Sequence, residues 1–129
     1  MNEKTLTALK ASIKHWEELC EIDDPNKARL GHRECALCEM FIKSGCFGCP
    51  VFLKTGNTSC YDTPYPRASN TLFDWYCGVR WYVRGEGHIK YVETSAAEYF
   101  DAAQAMLAFL KSLLPSDANE EPSLESSNA

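Results

Sequence analysis

Five cysteines fall between residues 35 and 60, in the order Cys35-x-x-Cys38, Cys46-x-x-Cys49 and Cys60. The surrounding stretch, 35–66, holds three Gly, three Pro and no long apolar period. Such a segment buries too little apolar surface to fix itself and needs a staple. A Cys-x-x-Cys turn brings two thiolates onto one ion from a tight bend, and two such turns complete a tetrahedral all-sulfur zinc site. Gly45 and Gly48 supply the backbone freedom that these turns use. Zinc binding, worth on the order of 10 kcal/mol, is enough to fold a coreless segment. Five thiols compete for four places, and His32 is a further candidate. Cys35 and Cys38 are expected to bind, with two of Cys46, Cys49 and Cys60. Weighed against structural zinc are metal-free cysteines, an iron–sulfur cluster and a redox pair. The ferredoxin spacing is absent beyond Cys49-Pro50, and neither knuckle follows a strand.

No apolar run approaches the ~18 residues of a membrane helix, so no membrane partner is expected. The N-terminus shows no basic segment followed by an apolar stretch, so no export signal is read. Reducing conditions follow, and clustered thiols there are metal ligands before they are disulfides.

Around the cysteine segment the apolar spacing is helical. Leu6, Leu9, Ile13, Trp16 and Cys20 recur three and four apart, predicting a helix over 5–20 that starts near Thr5 or Thr7 and stops before Pro25. Ser95 with Glu98 resembles a capping box, and Tyr99, Ala103, Met106, Leu107, Leu110, Leu113 and Leu114 then share one face, predicting a closing helix over 95–114. Between them, 70–84 is rich in aromatic and β-branched residues. Leu72, Trp75, Tyr76, Val79 and Val83 fit a helical face, with Thr71 and Asp74 as a loose capping box, while the composition leaves strand open. Gly85-Glu86-Gly87 reads as a turn and 89–92 as a short extended piece. The expected fold is therefore mainly α, with small α+β as the alternative. Its helices pack around one core in a single domain, 1–115, that carries a four-cysteine zinc-stapled loop module over 35–66. Residues 116–129 read as an acidic, disordered tail.

The net charge of −5 is unevenly spread: −3 over residues 1–26, +4 over 27–90 and −6 over 91–129. A predominantly acidic chain is a poor non-specific nucleic-acid binder, since that needs Lys and Arg to displace counterions. The middle is the exception. There Phe73, Trp75, Tyr76, Trp81 and Tyr82 alternate with Arg80 and Arg84, a pattern that suits base stacking beside phosphate neutralisation or, more simply, a small domain's aromatic core. Trp75, Arg80, Trp81 and Arg84 are the candidate partner-binding residues. Four thiolates around Zn2+ would add about −2 and reduce the middle segment's field.

Catalytic signals are weak. Cys77 and His88 lack a third orienting group, and Cys77 and Cys20 are more simply small buried apolar residues. Arg84-Gly85-Glu86-Gly87-His88 lacks the strand and helix that a phosphate loop requires. An all-thiolate zinc has no vacant position for substrate.

Cys35-Ala36-Leu37-Cys38, Cys46-Phe47-Gly48-Cys49-Pro50-Val51, Thr55-Gly56, Cys60 and Thr63-Pro64-Tyr65 resemble the cysteine segment of a group of small phage and prophage proteins. In that group a helix ending in His-Trp, here His15-Trp16, precedes the segment. A closing helix there ends in Leu-Leu-Pro, here Leu113-Leu114-Pro115. The resemblance implies phage origin and metal binding, and carries no activity; the expected location is the host-cell cytoplasm. The expected function is a non-enzymatic zinc-stapled protein that binds a host or phage protein, with inhibition of a host defence or regulatory complex as the specific role. A nucleic-acid-binding regulator is the first alternative and a small metal-dependent hydrolase the second.

Overall fold

The computed structural model describes residues 1–30, 35–41, 48–56 and 60–115. They form five helices: α1 (Glu3–Leu19), α2 (Ala36–Phe41), α3 (Pro50–Thr55), α4 (Tyr65–Val83) and α5 (Ile89–Lys111), with 3-10 turns at Pro25–Lys27 and Cys60–Asp62. No strand occurs among the described residues, so the fold is mainly α and the α+β alternative falls away. The tail from residue 116 lies outside the described residues.

The periodic stripe of α1 faces inward as its spacing predicts, with Leu9, Ile13 and Trp16 buried and Leu6 and Cys20 half-buried. Its start differs. Asn2, not Thr5 or Thr7, caps the helix, its side chain accepting from the Thr5 N–H at 2.8 Å. Asn caps better than Thr, and Thr5 lies on the buried face.

α4 settles the aromatic segment as helix and begins five residues earlier than 70. Thr71 is no cap: it sits mid-helix, its hydroxyl donating to the Arg67 carbonyl at 2.7 Å. α4 then turns through Gly85, whose φ of 81° is the left-handed region that glycine enters without cost. It runs back as α5, so the two lie antiparallel, with Arg67 paired to Asp101 and Gly78 against Tyr91.

α5 corrects two expectations. It starts at Ile89, so 89–92 is its first turn and not an extended piece. Ser95 is accordingly inside the helix and buried, and Ser95 with Glu98 is not a capping box. The actual N-cap, His88, makes no side-chain cap hydrogen bond and leaves no sequence signature. Packing of the half-buried Val92 beside Gly78 of α4 offsets its low helix propensity.

The core lies between α1, α4 and α5. The Trp75 ring packs on Tyr99 and Phe100 at centroid distances of 5.5 and 5.4 Å. The buried Tyr99 hydroxyl donates to the Leu19 carbonyl at 3.0 Å. It thereby serves one of the end-of-helix carbonyls that lack a partner within α1. α2 packs on α1, inserting Leu37. No described helix is long and apolar enough to cross a membrane.

Candidate metal centre

The first knuckle stands on α1. Cys35 immediately precedes α2, and its carbonyl accepts from the Glu39 N–H at 3.0 Å, so Cys38 lies one helical turn along on the same side. Beneath it is Ser12, almost wholly buried in α1. The Leu37 N–H donates to Ser12 Oγ at 3.4 Å, and Ser12 Oγ lies 3.6 Å from Cys35 Sγ. With one Oγ lone pair so engaged, the Ser12 hydroxyl proton is free to point at the sulfur.

A hydrogen bond from the Cys38 thiol holds Cys35 well below the usual thiol range, against the opposing effect of burial, and the backbone N–H groups of Cys38 and Leu37 and the Ser12 hydroxyl add to it. Cys38 keeps the proton and is pushed far up, first by that same hydrogen bond, then by burial and the negative charges of Cys35, Cys60 and Cys49. Ionising both needs a cation between them.

Cys49 and Cys60 stand on later elements. Cys49 is buried at the N-cap of α3, where Pro50 takes the first helical position that suits proline. Gly48 before it has φ 88°, consistent with a glycine-dependent turn. Cys60 opens the second 3-10 turn, and its carbonyl accepts from the Thr63 hydroxyl at 2.7 Å. Thr63 Oγ1 in turn accepts from the Tyr65 N–H at 3.1 Å, which joins the Cys60 turn to the start of α4. Tyr65 marks where the pieces meet: its phenol is pushed up by burial first, then by Cys60, Cys38 and Cys35. The ring stands edge-on to Trp16, with centroids 6.2 Å apart.

Three of the five predicted ligands, Cys35, Cys49 and Cys60, lie in or against the one hydrophobic core. Among the described residues, however, no group of three or more Cys, His, Asp or Glu is already gathered as a metal cage. Cys46 and His32 lie outside the described residues. The donor chemistry fits zinc: the candidate ligands are thiols, and converging donors favour the thiolate of Cys35. Sequence reasoning missed Ser12 and Tyr65. Ser12 was visible as a lone small polar residue among Leu9, Ile13 and Trp16.

The predicted partner-binding set divides. Trp75 is 5% exposed and belongs to the core, so it is unavailable to a partner. Arg80, Trp81 and Arg84 are exposed at the far end of α4. Cys77 is half-buried within α4 and His88 is exposed before α5, and no hydrogen bond between them occurs among the described residues. His15, half-buried, has Nε2 2.7 Å from the Arg29 carbonyl and ties the chain after α1 back onto it. Neither a protein-family model, a curated protein nor a solved structure matches this chain.

Proposed function

We propose that this chain is a non-enzymatic, phage-type protein with a structural zinc, working in the host-cell cytoplasm by binding a host or phage macromolecule. The observation that carries the reading is the Cys35–Cys38 knuckle, mounted on the buried Ser12 of α1. Cys35 and Cys38 would hold the ion from α2, and two of Cys46, Cys49 and Cys60 from the segment before α4. When bound, zinc supplies cross-linking of the loop to the helices, and four thiolates leave it no position for substrate. The chain's own residues then orient the thiols: Ser12 steadies Cys35, and Thr63 fixes the Cys60 turn to Tyr65. The excess of acids at both ends of the sequence suits occupation of a basic channel in a host defence or regulatory complex.

Elemental analysis of protein purified without chelators tests the reading. One zinc per chain is the expected result, and cobalt substitution should give the intense charge-transfer bands of a tetrahedral thiolate site. Iron with sulfide, or no metal, overturns it, and a cobalt spectrum with weak thiolate bands favours the hydrolase alternative. Cys35→Ser should lose the ion and partly unfold the segment it staples. Unchanged thermal stability in that variant counts against the staple.

A further inference from the structure

A cavity of about 310 Å3 opens in the groove between α4 and α5. Its lining is Asp74 of α4 with Lys90, Tyr91, Thr94, Ser95 and Glu98 of α5, so every lining side chain carries a polar group. The space holds about ten waters at ~30 Å3 each, enough for a small organic molecule. Ser95 is only 4% exposed, and among the described residues its hydroxyl has no hydrogen-bond partner. Buried hydroxyls are nearly always partnered, and an exception calls for a cause. Nor do Asp74, Lys90 and Glu98 form an ion pair among the described residues, although both signs of charge line the one space. The register of the two helices orders these charges. Gly78 faces Tyr91 and Arg67 pairs with Asp101, so Asp74, one turn before Gly78, stands level with Thr94 and Ser95, one turn after Tyr91. Along the groove the order is therefore Lys90, then Asp74 with Ser95, then Glu98, in steps of about 6 Å.

We propose that this groove binds a free basic amino acid, lysine or arginine, laid along α5. Its carboxylate meets Lys90, its α-ammonium meets Asp74 and the Ser95 hydroxyl, and its side-chain cation meets Glu98. The inference goes beyond the zinc reading, and no cysteine lines the cavity. Three features select the class. The lining carries a formal charge of −1, which a molecule with two cations and one anion neutralises. The order of the charges along the groove, positive and then twice negative, complements an extended lysine read from carboxylate to side-chain nitrogen. Ser95 supplies a buried acceptor to an ammonium, a group with three donors to satisfy. A metal ion would occupy a fraction of the space beside the Lys90 ammonium, and a diamine would leave Lys90 unanswered. The Tyr91 ring, set against Gly78 and edge-on to Trp81 at 6.1 Å, is held in place as the wall of the Lys90 end.

Calorimetric titration of the full chain with L-lysine and L-arginine at low ionic strength should give saturable binding of one molecule per chain. Norleucine, which lacks the side-chain cation, and cadaverine, which lacks the carboxylate, should each bind about tenfold more weakly than lysine. Glu98→Gln should lower lysine affinity about tenfold and leave norleucine binding nearly unchanged, and Lys90→Met should do the same with cadaverine as its unchanged partner. Ser95→Ala should weaken lysine binding about tenfold, while melting of the ligand-free variant stays the same or rises, because a buried hydroxyl without a partner is lost. That combination separates a ligand contact from a packing role. Asp74, Lys90 and Glu98 are exposed, and unchanged melting curves check that their variants fold. No saturable binding overturns the inference. Equal affinities for lysine, norleucine and cadaverine, or lysine binding that none of these variants alters, also overturn it. Calcium bound at these residues in place of lysine does so as well. Zinc content assayed on the same sample reports on the earlier reading alone.

Discussion

Ser12 is a hydroxyl placed where an aliphatic side chain would pack as well, and two groups depend on it. Ser12→Ala leaves the Leu37 N–H without its acceptor in a buried site and takes a donor from the Cys35 sulfur. The cost in stability is about 1–3 kcal/mol by urea unfolding. Zinc affinity, measured by chelator competition, should fall about 10-fold or more, as for other lost supports of metal ligands. Tyr99 makes a second single-atom tie. Burial pushes its phenol well above the ordinary value of 10.0, so the folded state holds the proton more tightly than the unfolded chain. The stabilisation it brings is therefore complete below about pH 10 and is lost as pH rises toward the folded-state value. Tyr99→Phe should cost about 1 kcal/mol at neutral pH and flatten the alkaline limb of a stability–pH curve. An unchanged limb would assign that loss to other groups.

The helices show what periodicity reveals and what it hides. α1 and the buried side of α5 were legible because Leu9, Ile13 and Trp16, and then Tyr99, Ala103, Met106 and Leu110, recur at helical intervals and all turn inward. The start of α5 was not legible, since His88 caps through backbone conformation alone while Ser95 and Glu98 imitate a cap inside the helix. His88→Asp would supply the missing acceptor near the positive end of the helix and should raise stability by about 1 kcal/mol in thermal or urea unfolding. α4 was ambiguous because its aromatics serve two ends: Trp75 fills the core, and Phe73 and Trp81 stay outside. What places α4 against α5 is an absence of side chain at Gly78, where a Cβ would stand 2.8 Å from the Tyr91 ring. Gly78→Ala exchanges a helix-propensity gain of about 1 kcal/mol for a displaced ring and should change stability little. Gly78→Leu has no such offset and should cost about 2 kcal/mol by overpacking. Equal stability of the two variants would show that the helices part freely at this point.

At the scale of the molecule, the zinc proposed above would give the frame and the cysteine segment different sources of stability. α1, α4 and α5 bury a continuous core, whereas α2 and α3 are six residues each, too short to persist unaided. Chelating the metal should therefore lower the melting temperature and open 35–60 to hydrogen exchange, while most of the far-UV helical signal stays. Complete loss of that signal would mean that the three long helices depend on the metal as well. The cysteine spacing pointed to a candidate site, but not to the mounting of Cys35 on α1, because the contact between Ser12 and Cys35 joins residues 23 apart and has no local pattern.

The bond from Tyr99 to Leu19 spans 80 residues. The first helix made therefore finds its main cover in the last. A nascent chain emerging from the ribosome exposes all seven cysteines before that cover exists, and α1 must wait with its apolar stripe bare until translation has nearly ended. Oxidant present during translation should therefore do harm to the yield of folded protein that the same oxidant applied afterwards does not.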